Sequence, residues 1–394
     1  MIGVELTKLN ICSSRRKVIA FAGILLLAGC KVIPQGPVEQ APPPPTRPQA
    51  STLPEDQARH RVALLVPLSG PNMNVGQSLA NATTMALLDT NAANLRITTY
   101  DTATGPSAAA TRAIADGNKL ILGPLLGDEV AAVAQVARPA RVPIISFSND
   151  AGVASPGAFV MGSIPAQSIA RTVRYARAHG VNRFAALVPD GEYGEHVLAS
   201  YRAAVSGAGG ALGPVENYAR GNTSVVSAAR RLKPGTFDAV LIGDGGRIAA
   251  LAAPALRAGR PAKTAGPRIL GTELWSGDGA VAANAALSGA WYSAVADSRF
   301  RQFAESYNAR FGAKPFRIAT LGYDAVLLTL RVARDWKPGT VFPTGRLGDK
   351  GGFLGLDGPF RFDGQGVVER ALEVNEVRAG GVTVVSPAAA KFQD

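Results

Sequence analysis

Residues 61–70 read RVALLVPLSG, a short apolar run that ends in a proline and a glycine. An apolar run of this length, bounded by turn residues, is typical of a buried strand. The pattern returns at 183–191 as RFAALVPDG, and each copy opens a new series of strand-like runs. The two copies lie too far apart for a solenoid repeat. The repetition therefore predicts two similar lobes.

Further short apolar runs alternate with alanine-rich stretches of helical spacing. Nearly continuous apolar strands that alternate with helices are typical of parallel sheets covered on both faces. The chain is thus predicted to be an α/β protein of two lobes, each a mostly parallel sheet with helices on both faces and with a cleft between the lobes. The predicted strands are RVALLVPL, LRITTYD, KLILG, VPIISFS, RFAALVP, FDAVLIG and RILGT.

The N-terminus has the features of an export signal. A basic segment, Arg15–Lys17, precedes ten apolar or small residues at 18–27. Ten helical residues rise about 15 Å, half a bilayer, which indicates a cleaved signal rather than a membrane span. The signal ends in LAGC, which resembles the lipobox of bacterial lipoproteins. We therefore expect cleavage after residue 29 and a lipid on Cys30. An ordinary signal peptide with a chance cysteine is the alternative.

Residues 30–59 form a tether between this cysteine and the folded part. Eight prolines and few large apolar side chains predict extended polyproline II, a spacer of up to about 80 Å. Cys12 leaves with the signal, so the mature chain keeps one cysteine, which the lipid occupies, and no disulfide is expected. By resemblance to enterobacterial lipoproteins, Lys31 in place of Asp favours the outer membrane.

The chain is basic, with 41 Lys and Arg against 29 Asp and Glu. Most of the excess in the folded part lies at 167–290, with fourteen bases and eight acids. In a cell envelope the matching anions are cell-wall carboxylates, lipid head groups or an acidic protein patch. Aromatic-basic interleaving and nucleic-acid motifs are absent from the sequence, so nucleic-acid binding is not expected.

Enzyme chemistry finds little support in the sequence. Its three histidines, His60, His179 and His196, lack the spacing of metal ligands, and neither a phosphate-binding GxxxxGK[ST] loop nor a GxSxG elbow occurs. GDGAVA at 277–282 matches GxGxxA without a clear strand-turn-helix context. We predict a protein that is not an enzyme and needs no metal or cofactor.

Several segments carry a specific resemblance. VALLVPLSGPNMNVGQSLANATTMAL at 62–87, LILGPLLGDEVAAVA, VPIISFSND and LVPDGEYGEHVLASYRAAV are similar, in this order, to type I periplasmic solute-binding proteins of the leucine-binding kind. FLGLDGPFRFDGQGVVERALEVNEVRAGG resembles their closing strands. The resemblance covers 60–391 and implies three crossings between lobes, near 161–165, 289–295 and Lys337-Pro338. Lobe one is then 60–164 with 292–336, and lobe two is 165–291 with 337–391.

The resemblance also points to cleft residues. In amino-acid-binding members, the loop in the place of GPLLGDE and a second hydroxyl-bearing segment hold the ligand carboxylate. Here these positions carry acids, and we expect Asp128 and Glu129 to cap their helix and to repel a carboxylate, which leaves a cationic or neutral ligand compatible. Whether the cleft binds any small molecule is left open. The candidate cleft residues are Ser69, Gly127, Asp128, Ser146, Ser148, Asn149, Asp150, Tyr193 and Asp244.

The lipobox, the tether, the fold and the altered loop together resemble the penicillin-binding protein activators, outer-membrane lipoproteins that stimulate peptidoglycan synthases by contact. Well-studied enterobacterial members carry a helical-repeat domain before this fold, whereas here the tether runs straight into it. Arg171, Arg174 and Arg177 lie about one helical turn apart. They are either a solvated helix face or part of a basic surface for peptidoglycan or a synthase.

The first hypothesis is therefore a non-catalytic regulator of peptidoglycan synthesis, located in the periplasm and anchored to the outer membrane through Cys30. The alternative is a solute-binding lipoprotein of an amino-acid-type ABC transporter. An enzyme is the third hypothesis, and it lacks a visible nucleophile-base pair or metal cluster.

The first hypothesis makes a direct prediction. Purified protein should raise the glycan-strand or cross-link output of a bifunctional peptidoglycan synthase, because activators of this kind act by contact. Output is measured with and without the protein on each cognate synthase, and stimulation of none of them would contradict the hypothesis.

Overall fold

The computed structural model describes residues 58–258 and 266–392. The signal segment, Cys30 and the tether up to residue 57 lie outside the described residues, so what the sequence predicts for them stays a prediction. Within the described ranges, no helix is both long and apolar enough to cross a bilayer. The chain there forms two α/β lobes and a small additional sheet.

The first lobe is built on five parallel strands. These are β1 (His60–Val66), β2 (Leu95–Asp101), β3 (Leu120–Leu122), β4 (Ile144–Ser146) and β5 (Ala158–Val160). Their connecting helices are α1 (Met73–Asp89), α2 (Pro106–Ala115) and α3 (Gly127–Ala137). The spatial order of the strands is β2-β1-β3-β4-β5. Along β1, Val62 and Leu64 pack into one apolar cluster while Ala63 and Leu65 pack into another on the opposite face. Burial on both faces explains the unbroken apolar run.

The second lobe repeats this arrangement. Its strands begin with β6 (Arg183–Pro189), β7 (Ala211–Tyr218), β8 (Ala239–Ile242), β9 (Arg268–Leu270) and β10 (Trp291–Ala294). Its helices are α4 (Pro165–Ala178), α5 (Glu192–Gly207), α6 (Ser224–Arg231), α7 (Gly246–Arg257) and the short α8 (Gly279–Ala283). These five strands run parallel to one another.

The chain then returns to the first lobe. There it forms α9 (Ser298–Phe311), α10 (Thr320–Ala333) and an antiparallel sheet of β11 (Phe353–Gly355), β12 (Gly358–Phe362) and β13 (Val368–Arg370). Two last strands, β14 (Glu373–Arg378) and β15 (Gly381–Ser386), add antiparallel to β10 in the second lobe. Single turns of 3-10 helix lie at Ala151–Val153, Glu273–Trp275, Ala285–Leu287, Arg317–Ala319 and Thr344–Gly348.

The α/β fold with two lobes and mostly parallel sheets is confirmed, and a strand lies in each of the seven predicted segments. The boundaries of the lobes differ from the prediction. The assignment of 337–370 to lobe two is wrong, because Phe342, Leu347 and Phe360 pack into the same core as Val62 and Leu64 of β1. The third crossing therefore lies at 371–372, after β13, and not at Lys337-Pro338. The second crossing lies at 295–297, because β10 belongs to the second sheet.

The repeated motif of the sequence has a shared structural reason. In each lobe a proline lies at the end of the first strand or directly after it, and the next helix passes that proline's carbonyl with a glycine. A Cβ at Gly76 in α1 would lie 1.8 Å from the oxygen of Pro67, and one at Gly194 in α5 would lie 1.7 Å from the oxygen of Pro189. Real Cβ atoms do not approach an oxygen this closely, so both helices require glycine there.

We expect Gly194→Ala to lower the free energy of unfolding by about 1–3 kcal/mol, because backbone must shift to admit the methyl group. The matched control is Gly207→Ala in the same helix, where an added Cβ meets no atom within 4 Å. That change should leave stability unchanged or raise it by up to about 1 kcal/mol. Urea unfolding of both variants tests this, and equal stability of the two would contradict the packing argument.

Candidate ligand cleft

A cavity of about 370 Å³ lies between the two lobes. It sits where the carboxyl ends of the parallel strands of both lobes face each other, the usual place for a ligand in open α/β sheets. Most of its lining is apolar. The first lobe supplies Val75, Leu125, Leu126, Phe147, Ile318 and Leu321, and the second lobe supplies Leu274, Ala294 and Leu372.

Three serine and acid candidates of the first lobe bond to one another. The Ser146 hydroxyl donates to the Pro124 carbonyl at 2.9 Å. Ser148 Oγ accepts from the Asp150 amide at 3.0 Å, and Asp150 Oδ1 accepts from the Gly152 amide at 2.8 Å. Asp150 thereby caps the 3-10 turn that follows it. These side chains shape the loop after β4 and do not belong to the cavity lining among the described residues.

Asn149 and Ser69 end in different environments. Asn149 is exposed and lines the cavity, the one candidate of the predicted set that does so within the described residues. The Ser69 hydroxyl donates to Asp101 Oδ2 at 2.8 Å, and Asp101 Oδ1 accepts from the Leu68 amide at 2.8 Å. Ser69 therefore stabilises the turn after β1 together with the end of β2.

The loop GPLLGDE opens α3 in a different way from the one predicted. The N-cap residue is Leu126, no side chain caps the helix, and Gly127 is its first residue. Asp128 is exposed to solvent and Glu129 is half-buried. The prediction that both acids cap α3 is therefore wrong, because neither occupies the N-cap and no side-chain hydrogen bond caps the helix. Both still place negative charge at the positive end of the helix dipole.

Glu129 turns inward, beside the end of β2. Burial raises the pKa of the Glu129 carboxyl, and Glu129 Oε2 has no hydrogen-bond partner among the described residues. Neither Asp128 nor Glu129 lines the cavity among the described residues. The predicted repulsion of a ligand carboxylate by these acids therefore has no basis in the geometry.

Two candidates of the second lobe, Tyr193 and Asp244, lie in one polar cluster. Asp244 Oδ2 accepts from the Tyr218 hydroxyl and from Arg220 Nε, each at 2.9 Å. The Arg220 guanidinium lies over the Tyr193 ring, 4.8 Å from its centroid. The Asp244 backbone carbonyl accepts from Trp275 Nε1 at 2.8 Å. Asp244 thus holds the cluster together rather than facing the cavity.

Glu273 is the cavity residue that sequence reasoning missed. It follows β9 in the 3-10 turn Glu273–Trp275, and it lines the cavity. The residue is half-buried as a whole, yet both carboxylate oxygens are buried without a hydrogen-bond partner among the described residues. Burial raises the pKa of Glu273 to about 7. The Tyr193 hydroxyl is likewise buried without a hydrogen-bond partner among the described residues. Its position just after the predicted strand RILGT was the signal that could have found it.

A buried charge cluster forms the other wall. Arg317 Nη1 donates to Asp357 Oδ1 at 2.7 Å, and Arg370 Nη1 lies 4.0 Å from Asp357 Oδ2. Although burial acts to raise it, the pKa of Asp357 is held below its usual range by the charges of Arg317 and Arg370. Asp324 on α10 is fully buried, and burial together with the charge of Asp357 raises its pKa to about 7.

Two of the three arginines in the predicted basic face of α4 form hydrogen bonds within the protein. Arg171 donates to the Leu372 carbonyl at 3.3 Å and to Ser386 Oγ at 2.6 Å. Arg177 donates to the Ala208 carbonyl at 3.1 Å and to the Val181 carbonyl at 2.9 Å. Arg174, between them, is exposed. A basic partner surface made of all three side chains therefore stays a prediction.

Comparisons with known proteins agree with this geometry. A family model described as "Periplasmic binding protein" matches residues 60–381. An uncharacterized protein of Rickettsia prowazekii (strain Madrid E) is 26% identical over 181 residues, and the match spans 45% of this chain and 45% of that protein, under half of its length.

Solved structures show the same fold at low sequence identity. A putative branched-chain amino acid ABC transporter protein of Rhodospirillum rubrum is 20% identical, with a TM-score of 0.73, covering 83% of this chain and 100% of that one. An ABC transporter solute-binding protein of Rhodopseudomonas palustris BisB5 is 20% identical, with a TM-score of 0.65, covering 85% and 98%. A periplasmic ligand-binding protein of Burkholderia xenovorans LB400 is 18% identical, with a TM-score of 0.68, covering 84% and 96%.

Glu273 generates a prediction on stability. Because its pKa in the folded state is about 7, above its usual value of 4.5, the folded protein binds more protons than the unfolded chain between these two pH values. The free energy of unfolding should therefore fall as the pH rises from about 4.5 to 7. We expect Glu273→Gln to weaken this dependence, leaving the part that comes from Asp324, and to raise the melting temperature at pH 8.

The control is Glu195→Gln on α5, which changes an exposed carboxylate. It should leave the pH profile of stability unchanged. Thermal unfolding between pH 5 and pH 8 measures both variants. A lower melting temperature of Glu273→Gln at pH 8 would show that the carboxylate is stabilising there, contrary to the prediction.

Proposed function

Because the chain belongs to the periplasmic binding protein family, we propose that it captures a small organic solute between its two lobes and presents it to an ABC transporter. The observation that carries the proposal is the cavity of about 370 Å³ at the facing strand ends of the lobes. A mainly apolar cavity with a few polar groups is the usual form of a small-molecule site.

The polar groups of the cavity indicate the chemistry of the solute. Glu273 offers a buried carboxylate without a partner among the described residues, which favours a solute with a cationic or hydrogen-bond-donating group. Arg317 and Arg370 on the other wall carry buried N–H groups that also lack a partner there, and these favour a hydrogen-bond-accepting group on the same solute. Asn72, Asn149 and Ser163 also line the cavity and make no side-chain hydrogen bond in the described part of the chain. The apolar lining supports an apolar body for the same solute.

The neighbouring structures support a compact solute of this size. The Rhodopseudomonas palustris protein was solved with 3,4-dihydroxy benzoic acid, and a Streptococcus pneumoniae protein of the same fold, a branched-chain amino acid transporter substrate-binding protein, was solved with isoleucine. Both ligands combine an apolar body with polar groups. For this chain we propose the same general class, without a commitment to either compound.

The place of action follows from the N-terminus. We propose that the protein works in the periplasm, held at the outer membrane by a lipid on Cys30 and by the tether at 30–59. Capture near a membrane and delivery through a long tether are compatible with transport. The same N-terminus is equally compatible with the penicillin-binding protein activator hypothesis.

The activator hypothesis now ranks second. In the sequence, the acids of GPLLGDE favoured this hypothesis because they were expected to keep an amino-acid carboxylate out of the cleft. Those acids do not line the cavity among the described residues, and a cavity is present. Activation of a synthase stays a prediction, and the synthase assay described above tests it independently of solute binding.

We expect a saturable rise in melting temperature with one or more members of a library of amino acids, amines and small aromatic acids. At a hundred times the dissociation constant, the gain in stability is about 2.7 kcal/mol. The variant Leu274→Trp should lower the affinity at least tenfold, because Leu274 lines the cavity, and the larger indole fills part of it.

The matched control is Leu251→Trp on α7. Leu251 is 36% exposed and Leu274 is 40% exposed, so the two substitutions perturb the surface to a similar degree. Leu251 lies outside the cavity lining. An equal loss of affinity in both variants would place the solute elsewhere, and the absence of saturable binding with every compound would contradict solute capture.

A further inference from the structure

Arg317 contacts both lobes across the cleft. It belongs to the first lobe, in the 3-10 turn that leads into α10, and its side chain reaches the segment after Glu273–Trp275 in the second lobe. We propose that Arg317 is a positioning residue that holds the two lobes together over the cavity. This proposal rests on the proposed function, because closure of the lobes matters for a captured solute.

The first-lobe side of this contact is firmly held. Arg317 Nη1 donates to Asp357 Oδ1 at 2.7 Å and to Thr320 Oγ1 at 3.2 Å. The Thr320 hydroxyl in turn donates to Asp357 Oδ2 at 2.9 Å. The guanidinium also lies over the Phe300 ring, 4.5 Å from its centroid. Asp357 is 2% exposed, so this anchor lies inside the lobe and restricts the rotamers of Arg317.

The other side of the contact lies across the cleft. Arg317 Nε donates to Ser276 Oγ at 3.3 Å and lies 3.4 Å from Asp297 Oδ1. The Ser276 hydroxyl donates to Asp297 Oδ1 at 3.1 Å, so the three groups form a small network. Ser276 follows Trp275 of the second-lobe core, and Asp297 lies in the second crossing between the lobes.

The backbone turn at 276–277 packs closely against the Arg317 side chain. Gly277 has a φ of +70°, and an added Cβ would lie 3.4 Å from Arg317 Cδ and 3.5 Å from Phe300 Cε1. The turn at 276–277 therefore rests directly on the Arg317 side chain and on the ring beneath it. Opening the cleft would separate this turn from Arg317 and remove the Ser276 hydroxyl as an acceptor for Arg317 Nε.

The strength of the contact follows from its exposure. The Arg317 side chain is 21% exposed and the Asp297 side chain is 35% exposed, so solvent screens the ion pair in part. The hydrogen bonds are charge-assisted, which makes them stronger than neutral ones. We therefore expect loss of the cross-cleft contact to lower the ratio of closed to open molecules about tenfold.

The distance between the lobes provides the test. Cys12 and Cys30 are the only cysteines in the sequence, and both are replaced by Ser in the full-length protein. Two new cysteines, Asn74→Cys on α1 and Glu192→Cys on α5, then carry the spin labels. Both positions are exposed, one on each lobe. Double electron–electron resonance without solute should show a short-distance population that Arg317→Gln shifts to longer distances.

Two further variants make the result specific. Ser276→Ala with Asp297→Asn removes the Ser276 acceptor and the negative charge of Asp297 while leaving Arg317 bound to Asp357. It should give the same shift even where Arg317→Gln folds poorly. Arg310→Gln removes an ion pair within the first lobe, to Asp89 at 2.9 Å, and should leave the distances unchanged.

An unchanged distance distribution in Ser276→Ala with Asp297→Asn would overturn the proposal, as would an equal shift in Arg310→Gln. The measurement uses no solute, so its outcome is separate from that of the binding assay. Solute binding can be absent while Arg317→Gln still changes the distance between the lobes. Conversely, solute can bind while the variants leave that distance unchanged.

Discussion

A buried carboxylate needs a hydrogen-bond or ionic partner. In the first lobe, the partners of Asp324 and Asp357 connect α10, the small sheet and the edge of the cleft. Asp324 on α10 is fully buried and accepts from the Leu356 amide at 2.6 Å. This bond holds the turn between β11 and β12 against α10. The turn delivers Asp357, which binds Arg317 and so connects the small sheet to the edge of the cleft. The placement of 353–370 in the first lobe, and one wall of the cavity, both depend on these contacts.

The cleft is defined by which polar groups are already bonded and which are not. Ser146, Ser148 and Asp150 are bonded within the loop after β4, and Asp244 is bonded to Tyr218 and Arg220. Glu273, in contrast, brings a buried carboxylate to the cavity with no hydrogen-bond partner in the described residues. Because desolvation of a carboxylate is costly, such a group favours a ligand that can bond to it. The cavity residues with buried polar atoms that lack a partner in the described part of the chain are therefore Glu273, Arg317 and Arg370, and the hydroxyl and acid candidates of the first lobe are not among them.

The two lobes are variations of one unit that the sequence already displays. Each begins with a strand that is buried on both faces and has a proline at its end or directly after it. A glycine of the next helix then packs against the carbonyl of that proline. The second copy is completed by antiparallel strands that arrive only after the chain has crossed to the first lobe and back. Arg317 lies where the two units face each other, so the charge cluster that organises one lobe also contacts the other.

The sequence alone determined the parallel strands, the two-lobed α/β fold and the family resemblance, because burial on both faces of a strand leaves a local apolar pattern. Only the tertiary structure decided the rest. The third crossing was misplaced because Lys337-Pro338 resembles a local boundary, whereas the packing of Phe342, Leu347 and Phe360 on β1 is a long-range contact. Capping by Asp128 and Glu129 was predicted from their place at a helix start, but the N-cap fell at Leu126. Glu273 went unnoticed because the absence of a hydrogen-bond partner is a property of the surrounding atoms, which no stretch of sequence records.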